Sequence, residues 1–258
     1  ASMSSRFTDP YLWGFEAPAS PPRGDHDVEL LSEHLAGKRI ALLVTGGIAA
    51  MKTPLLARAL RRRGANVVAF CSGDALRYVG REALEWSTLQ PVVDSLSWRA
   101  EHLSDSAPFD AYLVAPATYN TIGKAATGVA DTVVTATLAS AIGRLQEGRT
   151  RVLVAPTMHG SMHHDILEQA SRDLARYGVD FIGPRDAHGK HNLPSADRIV
   201  AAVCRALSNS SIRGRRARVT AGTTPVPIDS VRRIVNRFRG RLGAAIAEDL
   251  ILRGAHTH

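Results

Sequence analysis

Four short segments of this 258-residue chain combine residue types and spacings from which chemistry can be built. Val44-Thr45-Gly46-Gly47-Ile48-Ala49-Ala50 places a glycine pair between an apolar run and a helical pattern. Such a pair lets backbone approach an anion at a helix N-terminus, where free N–H groups point outward. It serves equally as a tight turn that packs helix on strand, and its spacing is neither a dinucleotide fingerprint nor a Walker loop. Pro116-Ala117-Thr118-Tyr119-Asn120 directly follows another apolar run. Thr118 and Asn120 offer short polar groups there, either to a ligand or as helix caps. Glu101-His102-Leu103 supplies a histidine, by type a proton-transfer group or an ordinary structural residue. The last segment, Pro156-Thr157-Met158-His159-Gly160-Ser161-Met162-His163-His164, holds three histidines within six positions. No Glu follows His159 in the zinc-protease arrangement, and Gly160 disfavours a helix there, so no metal site is expected.

Apolar runs must position these groups. Arg39–Thr45, Asn66–Cys71, Ala111–Ala115 and Arg151–Ala155 read as buried parallel strands, with 180–182 as a brief fifth. Helical patterns fall between them, with Pro54 at a first turn, then across 119–142, 163–177 and 196–207. Strands alternating with helices predict an α/β fold, a parallel sheet covered on both faces, with ligands at one sheet edge. Residues 183–195 read as a polar loop. Four regions are expected: an irregular arm over 1–37 that docks by Tyr11, Trp13 and Phe15, a main domain over 38–207, a linker over 208–216, and a basic segment over 217–258 with a strand at 217–221 and a helix at 242–253. Ala1-Ser2-Met3 reads as a short extension before a start at or near Met3.

The formal net charge is +8. Residues 205–258 carry eleven arginines and three acids, so they account for all of it, and residues 1–204 are neutral. This excludes a uniformly cationic nucleic-acid coat. No recognition motif accompanies the basic stretch, and no nucleic-acid partner is expected. No apolar run approaches the roughly 18 residues of a membrane span. The N-terminus lacks a signal-peptide pattern, and two cysteines, Cys71 and Cys204, are too few for a disulfide framework. A cytoplasmic protein that engages no membrane is expected.

TGGIAAMK, Glu-His-Leu ahead of a strand, APATYNTIGKAATGVADTVV and APTMHGSM occur in this order. Together they resemble the homo-oligomeric flavin-containing cysteine decarboxylases, which include phosphopantothenoylcysteine decarboxylase and the peptidyl-cysteine decarboxylases of peptide natural products. The resemblance covers about residues 38–207. It implies a Rossmann-like, flavodoxin-like sheet with FMN at its carboxyl edge. Thr45, Gly46, Gly47, Ile48, Ala49 and Ser72 would hold the phosphate, and Pro116, Ala117, Thr118 and Asn120 would pack on the flavin. His102 aligns with the family's active-site histidine. Asn120, Met158, His159 and Met162 would face substrate. The resemblance also implies a homo-trimer or a dodecamer of trimers.

Two departures steer the choice of substrate. His159 stands where the family has the Asn that holds the substrate carboxylate, and His163 where it has Trp. The loop Asp186-Ala187-His188-Gly189-Lys190 lacks the flap Cys with which phosphopantothenoylcysteine decarboxylase reduces its product. The expected activity is therefore FMN-dependent oxidative decarboxylation of the C-terminal Cys of a ribosomal peptide to an enethiol. The alternatives are phosphopantothenoylcysteine decarboxylation in coenzyme A synthesis and a non-catalytic flavin-binding regulatory subunit. A flavin prenyltransferase is set aside because its first-loop pattern is missing. Val219–Asp229 with Val231-Arg232-Arg233-Ile234, Asn236, Gly240 and Gly243 resembles the opening of a phosphopantothenate–cysteine ligase domain, and is read as a vestige without ligase activity.

Overall fold

The computed structural model describes residues 13, 15, 19, 24–103, 107–237 and 239–258. Tyr11, expected to anchor the arm, lies outside them. Trp13 and Phe15 meet each other at 4.8 Å between ring centroids and are otherwise exposed.

Five parallel strands form the central sheet: β1 (Arg39–Val44), β2 (Asn66–Cys71), β3 (Ala111–Ala117), β4 (Arg151–Pro156) and β6 (Asp180–Phe181). Their order is β2-β1-β3-β4-β6, which is the flavodoxin-like α/β arrangement. Leu42 lies beside Ala69 in β2 on one side and beside Leu113 in β3 on the other. Both sheet faces are covered, which is why the strands read as unbroken apolar runs. Ile40, Leu42 and Val44 face one core with Leu56 and Leu60 of α1 (Thr53–Arg61) and Ile199 and Val203 of α6 (Ala196–Leu207). Ala41 and Leu43 face the other, with Leu138 of α4 (Val133–Gln146) and Leu167 and Leu174 of α5 (Asp165–Arg176). Leu35, in the expected arm, is fully buried in the first core.

The expected helix over 119–142 is two helices, α3 (Tyr119–Thr127) and α4. Gly128 ends α3 in the left-handed region, at φ 75°. Thr132 then starts α4 through a reciprocal capping box with Thr135. Helix α2 (Arg81–Thr88) was not expected. The polar loop at 183–195 contains a hairpin, β7 (Arg185–Ala187) and β8 (Lys190–Asn192). His188 and Gly189 at its tip have φ 54° and 67°, as a tight two-residue turn requires. Strand β5 (Met158–His159) pairs antiparallel with β8.

After α6 the chain forms short pairs: β9 (Arg216–Ala217) with β12 (His256–Thr257), and β10 (Val226–Pro227) with β11 (Arg233–Ile234). The strand expected at 217–221 is shorter because β12 offers only two ladder positions. Helix α7 (Arg241–Leu252) packs on α6, and Arg205 donates to the carbonyls of Ile251 and Ala255 at 3.0 and 2.6 Å. Among the described residues, no helix is long and apolar enough to cross a membrane.

Candidate functional site

From β1 the chain crosses to β2 on one side and then to β3 on the other, so the loops after β1 and β3 diverge. Parallel sheets bind ligands at the carboxyl ends of strands where connections part in this way. A cleft of about 400 Å³ opens there, walled by the loops that follow β1, β2, β3 and β4. Thr45, Gly46, Ser72, Thr118, Asn120, Met158 and Met162, far apart in sequence, all line it.

The cleft floor is cross-linked. Thr45 Oγ1 donates to the Pro116 carbonyl at 2.7 Å, and Thr118 N–H donates back to Thr45 Oγ1 at 3.3 Å. Pro116 has no N–H to give the ladder, and the β3–β4 register shifts between Val114 and Ala117. Thr118 also caps α3, its hydroxyl accepting from Thr121 N–H at 3.4 Å. The capping and cleft-lining readings of Thr118 therefore hold together. At Gly46 a Cβ would collide with Asp74 Cβ, so only glycine lets the β1 and β2 loops come this close. Gly47 would place its Cβ 3.5 Å from the Thr118 methyl, an ordinary contact.

Other expected residues sit elsewhere. Ala117 is buried beneath the cleft, and Pro116 reaches it through the carbonyl that holds Thr45. Ile48 is exposed, and Ala49 packs into the core under the short 3-10 turn. His159 is exposed and off the cleft. Its Nδ1 accepts from Ser161 N–H at 3.2 Å. His102 is also off the cleft, on a turn between β2 and β3. Arg144 donates to the Leu103 carbonyl, and the Ser97 hydroxyl and N–H hold the Glu101 carboxyl below its ordinary range. His102 Nδ1 is buried without a hydrogen-bond partner among the described residues.

The structure adds groups that spacing did not mark. Lys124 lines the cleft and binds Asp131 at 2.6 Å, and that hydrogen bond draws the Asp131 carboxyl below its ordinary range. Thr157 also lines it, and its hydroxyl is buried with no hydrogen-bond partner among the described residues. The α3–α4 break brings Thr132 and Thr135 to the same wall. Their Thr-x-x-Thr spacing was the one available sequence signal, as a helix start. The thiols of Cys71 and Cys204 are buried away from the cleft, and burial pushes them up to about 12 and about 11. Among the described residues, no group of three or more His, Cys, Asp or Glu side chains is placed to hold a metal ion.

Comparison with known proteins gives two family matches. The family described as "Flavoprotein" matches residues 29–208, and the "DNA/pantothenate metabolism flavoprotein C-terminal domain" matches residues 212–258. The chain is 39% identical over 241 residues to the coenzyme A biosynthesis bifunctional protein CoaBC of Thermococcus kodakarensis, covering 90% of this chain and 59% of that protein. It is 34% identical over 242 residues to CoaBC of Escherichia coli K12, covering 86% and 56%. The chain thus spans somewhat more than half the length of these curated relatives. Among solved structures, the FMN-dependent cysteine decarboxylase SpaF superposes with a TM-score of 0.55 at 23% identity, over 66% of this chain and 99% of that one. A PPC decarboxylase mutant complexed with pantothenoylaminoethenethiol gives 0.53 at 22% identity, over 64% and 96%. At these identities the structures establish the shared fold.

Proposed function

This chain belongs to the flavoprotein family, and on that premise we propose that it decarboxylates 4′-phosphopantothenoylcysteine in coenzyme A synthesis, with FMN in the β1–β4 cleft. The observation that carries this reading is the similarity to CoaBC proteins along 90% of the chain. The same finding corrects the expectation of a decarboxylase acting on a peptide with a C-terminal Cys. That expectation rested on His159 and on a Cys-free loop, two local departures. The similarity runs through both family matches, including residues 212–258, which match a pantothenate-metabolism domain. The vestige reading of that segment finds no support in the match and is not retained.

The cleft residues fit a flavin nucleotide. Gly46 lets the β1 loop approach Asp74 where a Cβ would collide, and Ser72, Thr118 and Thr157, whose hydroxyl has no partner among the described residues, line the cleft. Thr45, Gly46, Gly47 and Ser72 would hold the phosphate, with the Ile48 and Ala49 backbone behind them. Thr118 and Asn120, over Pro116 and Ala117, would orient the ring, and Asn120, Met158 and Met162 would face substrate. Bound FMN supplies two-electron chemistry at the cysteine side chain. The net reaction takes up one proton, releases carbon dioxide and leaves the thiol saturated. His102 is the proposed proton carrier. Its place off its own chain's cleft, and the exposed Ile48, Met51 and Leu55 beside the β1 loop, support a homo-oligomer, at least a trimer, in which one copy completes another's site.

The test is direct. Purified protein should carry a flavin spectrum, and with 4′-phosphopantothenoylcysteine it should yield 4′-phosphopantetheine and carbon dioxide. A colourless protein indifferent to FMN, or turnover confined to peptides ending in Cys, would overturn the proposal.

A further inference from the structure

His163 Nδ1 and His191 Nε2 lie 2.8 Å apart. Beyond them, Asp186 Oδ1 is 2.6 Å from His191 Nδ1, and Glu168 Oε1 is 3.3 Å from His163 Nε2. The four side chains form one line: carboxylate, imidazole, imidazole, carboxylate. Asp186 and His191 stand on the β7–β8 hairpin, His163 ends the turn after Met162, and Glu168 is in the first turn of α5. The line therefore ties the hairpin to the segment that gives Met158 and Met162 to the cleft. Backbone runs alongside it: Met158 pairs with His191, and Gly160 N–H donates to the Gly189 carbonyl at 2.9 Å.

Proton counting decides when the line is complete. It has three links, and each link needs one proton. The carboxylates bring none, and two neutral imidazoles bring one each. The third must be an added proton, so the pair is complete with one positive charge between two carboxylates. With both rings protonated, two N–H groups face each other and like charges repel. With both rings neutral, one link has no hydrogen.

The neighbouring charges do not close the line another way. Arg172 binds the second Glu168 oxygen at 2.6 Å and leaves the first to His163. His159 is engaged with Ser161, and the His164 ring rests 5.6 Å from the Tyr119 ring. Arg185, His188 and Lys190 on the hairpin and Asp165 on α5 make no hydrogen bond to either ring among the described residues.

We propose that His163 and His191 are positioning residues: singly protonated, they clamp the β7–β8 hairpin on the Met158–Met162 segment and so fix that wall of the cleft. The clamp rests on geometry; its effect on substrate rests on the decarboxylase reading.

The test is amide hydrogen exchange of the whole protein across the range in which imidazoles titrate. After correction for intrinsic rates, protection of residues 185–192 should peak at intermediate pH and fall about fivefold on either side, the equivalent of one ordinary hydrogen bond. His191→Gln and His163→Phe should each remove the peak while β1 and β3 amides keep their protection. The KM for 4′-phosphopantothenoylcysteine should be lowest at the same pH and rise in both variants, with kcat changed less. A one-directional pH profile, or a peak unchanged in both variants, overturns the clamp. If a variant fails to fold, β1 exchange reports it and the wild-type profile decides. Absence of turnover with the exchange peak intact refutes the decarboxylase reading and supports the clamp.

Discussion

Residues 38–207 and residues 212–258 solve the problem of burying apolar side chains in opposite ways. In the first region five parallel strands are sandwiched between helices, and Leu42, Leu113 and Leu153 are at most 1% exposed. In the second, strand pairs are two residues long, and Val231, Ile234 and Leu242 are 88%, 62% and 76% exposed. What is buried in the second region, chiefly Leu252 and Ala255, leans on α6 of the first. Side chains also hold the second region: Arg63 of the first meets Glu248 at 2.9 Å, and His34, just ahead of the first, meets Asp249 at 3.1 Å. Order in the C-terminal region is thus borrowed from the domain that carries the cleft.

The sharpest way to break this contrast is a matched pair of truncations. Leu42→Ala should cost about 2–5 kcal/mol in denaturant unfolding, because a cavity opens in the central strand. Ile234→Ala should stay within about 0.5 kcal/mol, since its side chain is largely in water. Two glycines give the next comparison. Gly46→Ala drives a Cβ into Asp74 and should weaken flavin retention about tenfold or more, read by fluorescence titration. Gly243→Ala drives one into Ala221 and should leave flavin affinity unchanged while raising exchange near residue 243. Equal effects of the two would refute the separation of roles.

Smaller effects follow. Thr118→Ala removes the α3 cap and should cost about 1 kcal/mol, with a loss of flavin affinity on top. Cys71 and Cys204 should resist alkylation at neutral pH in the folded protein and react on unfolding. For Cys71 the ordinary value of 9.0 is raised to about 12 by burial. Its contribution to stability is therefore full below pH 9.0 and is lost as pH rises through about 12. An alkaline unfolding curve that Cys71→Ala leaves unshifted would contradict this assignment.

The sheet is legible because strands buried on both faces must be largely apolar, and IALLV and AYLVA are. The cleft was legible in those parts contributed by the loop directly after each strand: Thr45, Ser72, Thr118 and Met158. Lys124, Thr132 and Thr157 were not, because a break in a helical pattern and an unpaired hydroxyl are products of packing. The β7–β8 hairpin was hidden for a similar reason. Its strands are short and polar, so they carry no alternation of apolar and polar residues, and its turn at His188-Gly189 is one of two glycine-bearing steps in a polar stretch. The substrate class is obscured for a different reason. His159 and the Cys-free loop are local departures, whereas the ligase-like segment belongs to a match with a pantothenate-metabolism domain that spans residues 212–258.

The place of β1 in the sheet has a consequence in time. It is made first, yet its two neighbours are β2, which follows closely, and β3, which follows only after the long connection that bears His102. A chain emerging from the ribosome therefore holds one edge of β1 open until Ala111–Ala117 appears, and β4 and β6 must follow before the sheet is whole. Non-local pairing of this kind slows folding and leaves an apolar strand edge exposed during synthesis.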